Sequence, residues 1–326
     1  MPLIDRRSLL AAGAAATAAG LSGVAPQPAR AAAPAASRQV PGIYRYRVGE
    51  FEVTAVNDGA AARPLQEGFV RNAKLDEVQG ALEAAFLPPG EITIPFTTMV
   101  VNTGSRLVLI DTGTGGQMAP TAGMLLQNFE AAGIDPTAID TVIISHFHGD
   151  HIMGLRSREG DLAFANAEIA VPEAEWAFWM DEGEMSRAAE GAKGNFANAR
   201  RVFGPSERDI RRFAAEAEVV PGITAIPAYG HTPGHTAFRI ASGSEQLIVL
   251  SDTTNHPALF VRNPTWQAAF DMDGAMAAET RRRMLDMVAA ERALVAGYHF
   301  PFPAAGHIAK DGERYRLVPV AWTPII

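Results

Sequence analysis

The chain has 326 residues, a formal net charge of −8, 48% hydrophobic residues and no cysteine. The lack of cysteine excludes disulfides and any metal site that needs a thiolate ligand. The negative charge and the absence of long Lys/Arg blocks argue against a nucleic-acid partner. A chain of this length can bury a large core, so we expect packing alone to stabilise one sizeable domain.

The amino terminus has the pattern of an export signal. Arg6 and Arg7 precede a weakly apolar stretch rich in Ala and Gly, and Ala29-Arg30-Ala31 provides a small-x-small cleavage site. This order is typical of a twin-arginine signal, and the stretch is too short and too rich in glycine to anchor the protein in a bilayer. We therefore expect a periplasmic or secreted protein with no stable membrane anchor. The predicted organisation is a signal peptide over residues 1–31 with cleavage near 31–33, a flexible leader over 32–40 and one domain over 41–326.

In the first half of this domain, β-rich alternation predicts most of the elements. Asn57-Asp58-Gly59 is a turn signal, and residues 60–95 are expected to be loop-rich around a short helix at 75–86. A helix over 121–132 is expected to end at Gly133, because glycine suits the left-handed conformation of a helix C-terminus. Strands are predicted at 43–48, 51–56, 96–102, 106–111 and 141–145.

In the second half, residues 181–204 are rich in Gly, Ala and charge, and we expect a flexible insertion there. Residues 205–217 are predicted to form a helix. Arg281-Arg282-Arg283 is the only basic run; it lies in a helix-like stretch over 273–291, where a solvated face is expected. The remaining predicted elements are a helix at 172–180 and strands at 167–171, 219–226, 236–241 and 246–250.

The segment His146-Phe147-His148-Gly149-Asp150-His151 places four potential metal ligands within six residues, directly after an apolar strand-like run. On a helix these side chains could not all face one way, and on a strand only some would share a face. They suit a loop at a strand end, where imidazoles and a carboxylate can turn toward two nearby cations. Imidazole and carboxylate are ligands of zinc and similar divalent metals. The alternative is an accidental group of histidines in a polar turn.

The order His-x-His-x-Asp-His resembles the opening motif of the metallo-β-lactamase superfamily of binuclear metallohydrolases. Three later segments follow the family's order: 230–235 (Gly-His-Thr-Pro-Gly-His), 247–252 (Leu-Ile-Val-Leu-Ser-Asp) and 296–299 (Ala-Gly-Tyr-His). The resemblance covers nearly the whole domain, which is thus expected to be a single catalytic domain. It implies an α/β fold, a four-layer αβ/βα sandwich with the metals at the edge between two mixed sheets.

The resemblance also implies seven metal ligands, two of which, Asp150 and Asp252, are expected to be catalytic as well. Five neutral imidazoles and two carboxylates leave two divalent cations with a net positive charge. A metal can lower the pKa of bound water from about 16 to about 7, so a bridging hydroxide would be a nucleophile at neutral pH. Zinc is the expected metal, with manganese, cobalt or iron as alternatives. The implied ligands are His146, His148 and His231 for one metal, Asp150, His151 and His299 for the other, and Asp252 between them.

Further residues are assigned around these ligands. His235 follows a ligand by four residues, and Asp111 lies in a turn similar to the family's Asp-Thr-Gly turn; both are expected to orient ligands rather than bind metal. His307 is expected to form a hydrogen bond in a loop. The predicted substrate pocket consists of Met118, Trp179, Phe196, Asn255, His256 and Phe270, and ordinary core packing is the alternative for its aromatic members.

Within the superfamily the chain is most similar to the methyl parathion hydrolases and the related lactonase or arylesterase members. The similar segments are residues 51–59, 101–113 and 306–320. Asn255 stands where this branch has an apolar residue, and a more polar wall favours a carbonyl-bearing substrate. The expected function is hydrolysis of an ester or lactone of a small-molecule substrate, with organophosphate triesters as further substrates.

Alternatives to this function stay open at the level of the sequence. The same ligands could hold a single iron in an oxidoreductase similar to the superfamily's persulfide dioxygenases. A β-lactam hydrolase is a second alternative, although the absence of cysteine and the presence of Asp252 disfavour two zinc β-lactamase branches. A non-catalytic metal-binding protein is a third. A homodimer is also left open.

Overall fold

Two seven-stranded mixed sheets form the centre of the computed structural model, which describes residues 36–326 without the side chains of residues 206–208. In the first sheet the strands follow chain order. Neighbours are antiparallel from β1 to β4 and parallel from β4 to β7. Its strands are β1 (Ile43–Val48), β2 (Phe51–Pro64), β3 (Glu91–Asn102), β4 (Leu107–Ile110), β5 (Thr141–Ile143), β6 (Glu168–Pro172) and β7 (Arg211–Phe213).

The second sheet has the order β14-β13-β12-β11-β10-β9-β8, with one parallel pair, β11 and β12. Its other neighbours are antiparallel. The two parallel regions matter for the site, because carboxyl ends of parallel strands meet at one sheet edge. The strands are β8 (Glu218–Val220), β9 (Ile223–Pro227), β10 (Thr236–Ser242), β11 (Glu245–Ser251), β12 (Leu294–Gly297), β13 (Ala305–Asp311) and β14 (Arg314–Pro319).

Helices cover the outer faces of both sheets and complete the predicted four-layer αβ/βα sandwich. One core cluster joins the two sheets and includes Val53, Ile110, Phe238 and Leu250, which are at most 2% exposed. A second cluster lies between the first sheet and the helices packed on it. The helices are α1 (Leu75–Ala84), α2 (Leu125–Ala132), α3 (Gly149–Ile152), α4 (Glu173–Trp179), α5 (Glu182–Arg187), α6 (Glu190–Phe203) and α7 (Gly274–Ala290), with 3-10 turns at Pro136–Ala138, Met153–Leu155 and Gly204–Asp209.

The predicted signal peptide over residues 1–31 lies outside the described residues, as do the first four residues of the predicted leader over 32–40. Residues Val40–Ile326 form one compact unit. In the part of the chain that the structure describes, no helix combines the length and the apolar character needed to cross a membrane.

The segment Asn57-Asp58-Gly59 forms a bulge rather than the predicted turn. Strand β2 continues through it and stays paired with β3, with a register shift between Asn57 and Gly59. As a result β3 begins at Glu91, earlier than predicted. The bulge turns the buried Asp58 toward the chain after β4, where its carboxylate accepts hydrogen bonds from Thr114 N and Oγ1 at 2.8 and 2.7 Å. A bulge and a turn share the same local signal of Asn, Asp and Gly.

The prediction of a flexible insertion over residues 181–204 is wrong. This segment forms α5 and α6, and α6 buries Phe196, Ala199, Val202 and Phe203 against the core. Their spacing of three, three and one places them on one helical face, whereas Gly and charged residues occupy the other. The helix predicted over 205–217 is also wrong, because a 3-10 turn leads into β7, which pairs with β6 and buries Phe213.

Candidate metal centre

All seven predicted metal ligands lie just beyond strand ends at one edge of the two sheets. The sheets also contact each other there, since Ser251 Oγ donates to Ser145 Oγ at 2.8 Å and Thr236 N donates to Ser145 O at 3.0 Å. The arrangement follows from the topology, because the parallel pairs β4–β5 and β11–β12 bring their carboxyl ends to this edge. Four ligands, His146, His148, Asp150 and His151, follow β5; His231 lies between β9 and β10; Asp252 follows β11; His299 follows β12.

The three histidines predicted for one metal form a tight group. His146 Nε2 lies 3.2 Å from His148 Nδ1, and His148 Nδ1 lies 2.9 Å from His231 Nε2. The three ligand atoms all lie within 4.8 Å of one another. His146 and His231 are buried, and His148 is partly buried. This group therefore brings three imidazole nitrogens around one point, as a tetrahedral metal with a fourth open position requires.

The ligands predicted for the other metal form a second group beside the first. Asp150 Oδ2 lies 3.6 Å from His151 Nε2 and 3.5 Å from His299 Nε2. The carboxylate of Asp252 reaches both groups. Its Oδ1 lies 3.3 Å from His151 Nε2, and its Oδ2 lies 2.9 Å from His299 Nε2 and 3.4 Å from His231 Nε2.

Hydrogen bonds on the outer side of three imidazoles fix which nitrogen faces the centre. His151 Nδ1 lies 2.8 Å from Asp111 Oδ2, His231 Nδ1 lies 2.9 Å from Asp271 Oδ1, and His299 Nδ1 lies 2.8 Å from the Pro95 carbonyl. Because carboxylates and carbonyls only accept, each Nδ1 is the donor. In the neutral ring the Nε2 lone pair then faces the centre, as a metal ligand requires.

The chemistry of this set of donors fits divalent metal ions. His151 Nε2 and Asp252 Oδ1 are buried and have no hydrogen-bond partner among the described residues. Burying a polar atom without a partner destabilises the folded protein, and a bound cation would remove this penalty. Burial and neighbouring imidazoles hold the pKa of His146 and His148 well below the ordinary value, so both rings are neutral. Although burial lowers the pKa of His151, the charges of Asp252 and Asp150 raise it well above the usual value. A bound cation would neutralise that same negative charge.

The two residues predicted to orient ligands both contact the group. The Asp111 carboxylate accepts from His151 and also from Ser145 N and Oγ at 2.8 and 2.7 Å. His235 is buried; its Nδ1 donates to the Ala228 carbonyl at 2.9 Å, and its Nε2 accepts from Asp252 N at 3.0 Å. His235 thus contacts the backbone of Asp252, whose carboxylate reaches both groups of ligands.

Glu175 is a buried carboxylate that the sequence reasoning missed, and it connects the two ligand-bearing loops. Its Oε1 accepts from Phe147 N at 2.9 Å and from Trp179 Nε1 at 2.6 Å. Its Oε2 accepts from Thr232 Oγ1 at 2.9 Å and from Gly234 N at 2.8 Å. Burial raises the pKa of Glu175, while these four donors act against that rise. The one available signal was a glutamate on the same helical face as Trp176 and Trp179.

Asp271 and Arg281 are two further residues that the sequence reasoning did not assign. Asp271 accepts from His231, and its other oxygen lies 3.2 Å from Arg281 Nη2. The prediction that Arg281-Arg282-Arg283 lie on a solvated face is wrong for Arg281, which is 1% exposed. The prediction is right for Arg282 and Arg283, which are exposed. A run of three arginines cannot reveal which of them the helix turns inward, and here it is the first.

A cavity of about 200 Å³ opens beside the ligands. Three of the six predicted pocket residues, Met118, Asn255 and Phe270, line it. Its other walls were not predicted: Ile94 and Phe96 come from β3, which was expected to begin only at residue 96. The remaining lining residues outside the ligand set are Arg63, Gly149 and Asn195.

The structure places the other three predicted pocket residues elsewhere. Trp179 and Phe196 are at most 1% exposed and pack on each other, with ring centroids 4.7 Å apart, in the core behind His148. They support the ligand loop from behind rather than lining the cavity. His256 lines a neighbouring cavity of about 350 Å³, and burial lowers its pKa to about 4. His307 lies in β13, not in a loop, and its Nδ1 donates to the Ala293 carbonyl at 3.1 Å.

Comparison with known proteins gives a match to one family model. The model described as "Metallo-beta-lactamase superfamily" matches residues 94–299, which include all seven predicted ligands. Among curated proteins, an N-acyl homoserine lactonase from Bacillus sp is 24% identical over 229 residues, which cover 64% of this chain and 83% of that protein.

Solved structures with the same fold include AidC and AbOPH. AidC is described as a dizinc quorum-quenching lactonase in complex with a product, N-hexnoyl-L-homoserine; it is 23% identical, with 87% of this chain and 99% of AidC covered at a TM-score of 0.82. AbOPH is described as a hydrolase in the beta lactamase superfamily; it is 24% identical, with 88% and 100% covered at a TM-score of 0.82. At 23% and 24% identity, the similarity to these two structures shows that this chain has the same fold.

Proposed function

Because this chain belongs to the metallo-beta-lactamase superfamily and is a metal-dependent hydrolase, we propose that it uses two divalent metal ions, zinc first among them, to hydrolyse lactones and esters. The observation that carries this proposal is the convergence of five imidazoles and two carboxylates beside a cavity. The bridging position of Asp252 between the two groups supports two metals rather than one.

Each metal would be held by one of the two groups of side chains. His146, His148 and His231 would hold the first metal, Asp150, His151 and His299 would hold the second, and Asp252 would contact both. When bound, two divalent cations lower the pKa of a water molecule toward about 7 and polarise a carbonyl oxygen of the substrate. Zinc fits the donor set because imidazole nitrogen and carboxylate oxygen are its usual ligands in the absence of cysteine.

The two carboxylates of the site have different surroundings. The side chain of Asp150 is 14% exposed and lines the cavity, whereas that of Asp252 is 4% exposed and lies between the imidazoles. Asp150 is therefore placed to accept a proton from an attacking water at its carboxylate, since it is the more open of the two. Asp252 would mainly hold the metals, while Asp111 and Asp271 keep their histidines in the required tautomer.

Asn255 is placed to orient the substrate. Its Oδ1 accepts from His256 N at 2.8 Å, which fixes the side-chain amide. Its Nδ2 meets no acceptor among the described residues, and the residue lines the cavity next to Asp252 and His299. The free N–H donors of Nδ2 suit a carbonyl oxygen that gains negative charge during hydrolysis.

The cavity walls favour a carbonyl substrate with an apolar substituent. Ile94, Phe96, Met118 and Phe270 offer an apolar surface, and Asn255 and Asn195 add polar groups. This combination suits a lactone or ester, and the lactonases among the similar proteins support the same substrate class. Organophosphate triesters are the second candidate: a phosphoryl oxygen could accept from the same amide, but the lactonases among the similar proteins favour a carbonyl substrate.

We also propose that the enzyme acts outside the cytoplasm, on the basis of the twin-arginine pattern at Arg6 and Arg7. Expression of the full chain in bacteria tests this directly. We expect lactonase activity in the periplasmic fraction, and its retention in the cytoplasm after replacement of both arginines by lysine. Equal cytoplasmic activity of both forms would contradict export.

The substrate class is tested by hydrolysis of a panel by the zinc-loaded protein. The panel contains dihydrocoumarin, an acyl-homoserine lactone, p-nitrophenyl acetate and methyl paraoxon. We expect turnover of a lactone or aryl ester, and loss of more than about a hundredfold in Asp252→Asn together with loss of metal. The matched control is Asp161→Asn, which changes an exposed aspartate away from the cavity. We expect the activity of this control to equal that of the wild type. Full activity of a metal-free Asp252→Asn variant would overturn the proposal.

A further inference from the structure

We propose that Arg281 is a positioning residue for the metal centre. It fixes the orientation of His231 through Asp271, and it holds the turn after Asp252 through a hydrogen bond to the backbone. This inference rests on the proposed function, since it concerns the same site. Arg281 lies on α7, on the outer side of the second sheet, and contacts neither the cavity nor any predicted ligand directly.

The guanidinium of Arg281 joins three segments of chain that surround the site. Its Nε donates to the Thr253 carbonyl at 3.0 Å. Its Nη1 donates to the carbonyls of Pro264 and Trp266 at 3.1 and 2.5 Å, and its Nη2 donates to Asp271 Oδ2 at 3.2 Å. Since the side chain is 1% exposed, these acceptors take the place of water around the charge.

The first route from Arg281 to the metals passes through Asp271. Asp271 is 1% exposed; Oδ2 accepts from Arg281 and from Ala268 N at 3.0 Å, which leaves Oδ1 directed at His231 Nδ1, 2.9 Å away. With Nδ1 held as a donor, His231 presents Nε2 to the first metal group.

The second route concerns the turn that carries the shared carboxylate. Thr253 directly follows Asp252, and Ser251 on its other side has a φ of +47°, a conformation that non-glycine residues adopt only when their surroundings impose it. The hydrogen bond from Arg281 Nε to the Thr253 carbonyl is one such constraint. Arg281 therefore contacts the turn that directs Asp252 between the two metal groups.

The third route reaches the substrate wall through aromatic contacts. The Arg281 guanidinium carbon lies 5.1 Å from the ring centroid of Phe260. Phe260 packs edge-on against Phe270 at 6.3 Å, and Phe270 packs edge-on against His231 at 5.8 Å. Phe270 lines the cavity, and it precedes Asp271 in the chain. Displacement of Arg281 should therefore change the position of this wall as well as that of His231.

The arrangement needs arginine rather than any cation. Four acceptors in different directions match the planar fork of five N–H donors, whereas a lysine ammonium offers three donors from one point. Stability alone gives no reason to retain a buried ion pair here, because a well-packed apolar pair is often equally stable. Two exposed arginines follow in the same helix, so the chain supplies its own matched control.

The test compares Arg281→Lys, Asp271→Asn and the control Arg282→Lys in the full protein. Metal-free samples are titrated with Co²⁺ and followed by visible absorption, with competition by a chelator to measure the affinity of each of the two metals. The melting temperature of the metal-free proteins and the kcat and KM for a lactone complete the set. The absorption and melting measurements do not depend on activity.

We expect Asp271→Asn to weaken one metal, the one assigned to the group with His231, about 10- to 100-fold, with the other metal within about twofold of the wild type. Arg281→Lys should weaken the same metal by a similar factor and the other metal by less, because Arg281 also holds the turn after Asp252. We also expect KM to rise in Arg281→Lys, because the Phe270 wall moves, and the Arg282→Lys control to match the wild type throughout. If Arg281→Lys does not fold, Asp271→Asn alone must show the selective loss.

Two outcomes would overturn the inference. One is that both variants bind both metals like the wild type. The other is that both metals weaken equally in step with a lower melting temperature, as a merely structural role would give. A wild-type protein that binds no metal, or hydrolyses none of the panel, would instead contradict the proposed function.

Discussion

At the scale of single residues, the polar side chains around the predicted metal centre have defined hydrogen-bond partners on their outer side. Asp111, Asp271 and the Pro95 carbonyl each hold one imidazole, and His235 holds the backbone of Asp252. Such partners make the ligand geometry available before a metal binds, which reduces the cost of binding. Among the predicted ligands, the two buried atoms without a hydrogen-bond partner in the described residues, His151 Nε2 and Asp252 Oδ1, lie on the inner side, where the metals are proposed to bind.

Asn255 gives the sharpest residue-scale prediction. Asn255→Ala removes an amide donor that a hydrogen bond from His256 N fixes on the cavity wall, and it should lower kcat for a lactone about a hundredfold, with a smaller change in KM. Asn195→Ala, on the same wall, should change KM more than kcat. Steady-state kinetics with metal content measured in parallel checks this. An equal kcat in Asn255→Ala and the wild type would show that Asn255 does not contact the reacting oxygen.

The ligand-bearing segments could be predicted at this scale, whereas their supports could not. His146 to His151 stand together in sequence, and the three later motifs have distinctive neighbours. Glu175, Asp271 and Arg281 are single charged residues in ordinary surroundings, and only the fold brings them beneath the ligands. The prediction of the pocket residues failed in part for the same reason. Trp179 and Phe196 are apolar residues that could line a cavity or pack in the core, and only the fold shows that they lie in the core.

At the scale of elements, the ligand loops depend on the elements packed behind them. Glu175 on α4 accepts hydrogen bonds from both the loop after β5 and the turn that carries His231. The helix α6 packs behind the same loop, since Phe196 contacts Trp179 and the Trp179 ring lies 6.2 Å from the His148 ring. The segment predicted to be a flexible insertion is therefore part of the support for the site.

The role of α6 as packed structure can be tested by truncation of its buried ring. Phe196→Ala should lower the free energy of unfolding by about 3–5 kcal/mol, because it removes a fully buried aromatic side chain and leaves a cavity. The matched control is Phe86→Ala, a phenylalanine that is 99% exposed, with little change expected. Denaturant unfolding of both variants measures the difference. A loss below about 1 kcal/mol in Phe196→Ala would contradict the packed helix.

Long periodic elements were predicted from the sequence more reliably than the short or irregular ones. Strand β1 and helix α7 follow their predicted ranges to within a residue. The helix expected over 121–132 ends before Gly133 as predicted but begins only at Leu125. The bulge at Asn57-Asp58-Gly59 and the strand β7 could not be predicted, since both depend on pairing with a distant strand. Local sequence does not encode that partner.

At the scale of the whole molecule, the site lies where the two sheets meet. The first sheet and its loops supply His146, His148, Asp150 and His151, and the second sheet supplies the other three ligands. Asp252 contacts histidines from both sheets. Metal binding would therefore join the two halves of the fold, and without metal the buried carboxylate of Asp252 would have no cation beside it.

The central claim is that this fold binds two metals that act together in hydrolysis. The most direct test is titration of the metal-free protein with zinc, with metal bound per chain and lactone hydrolysis measured on the same samples. We predict two zinc ions per chain, activity that requires the second, and a melting temperature that rises by several degrees, since a ligand at about 100 times its Kd stabilises by about 2.7 kcal/mol. One iron per chain with no hydrolysis would contradict the claim and favour an oxidoreductase.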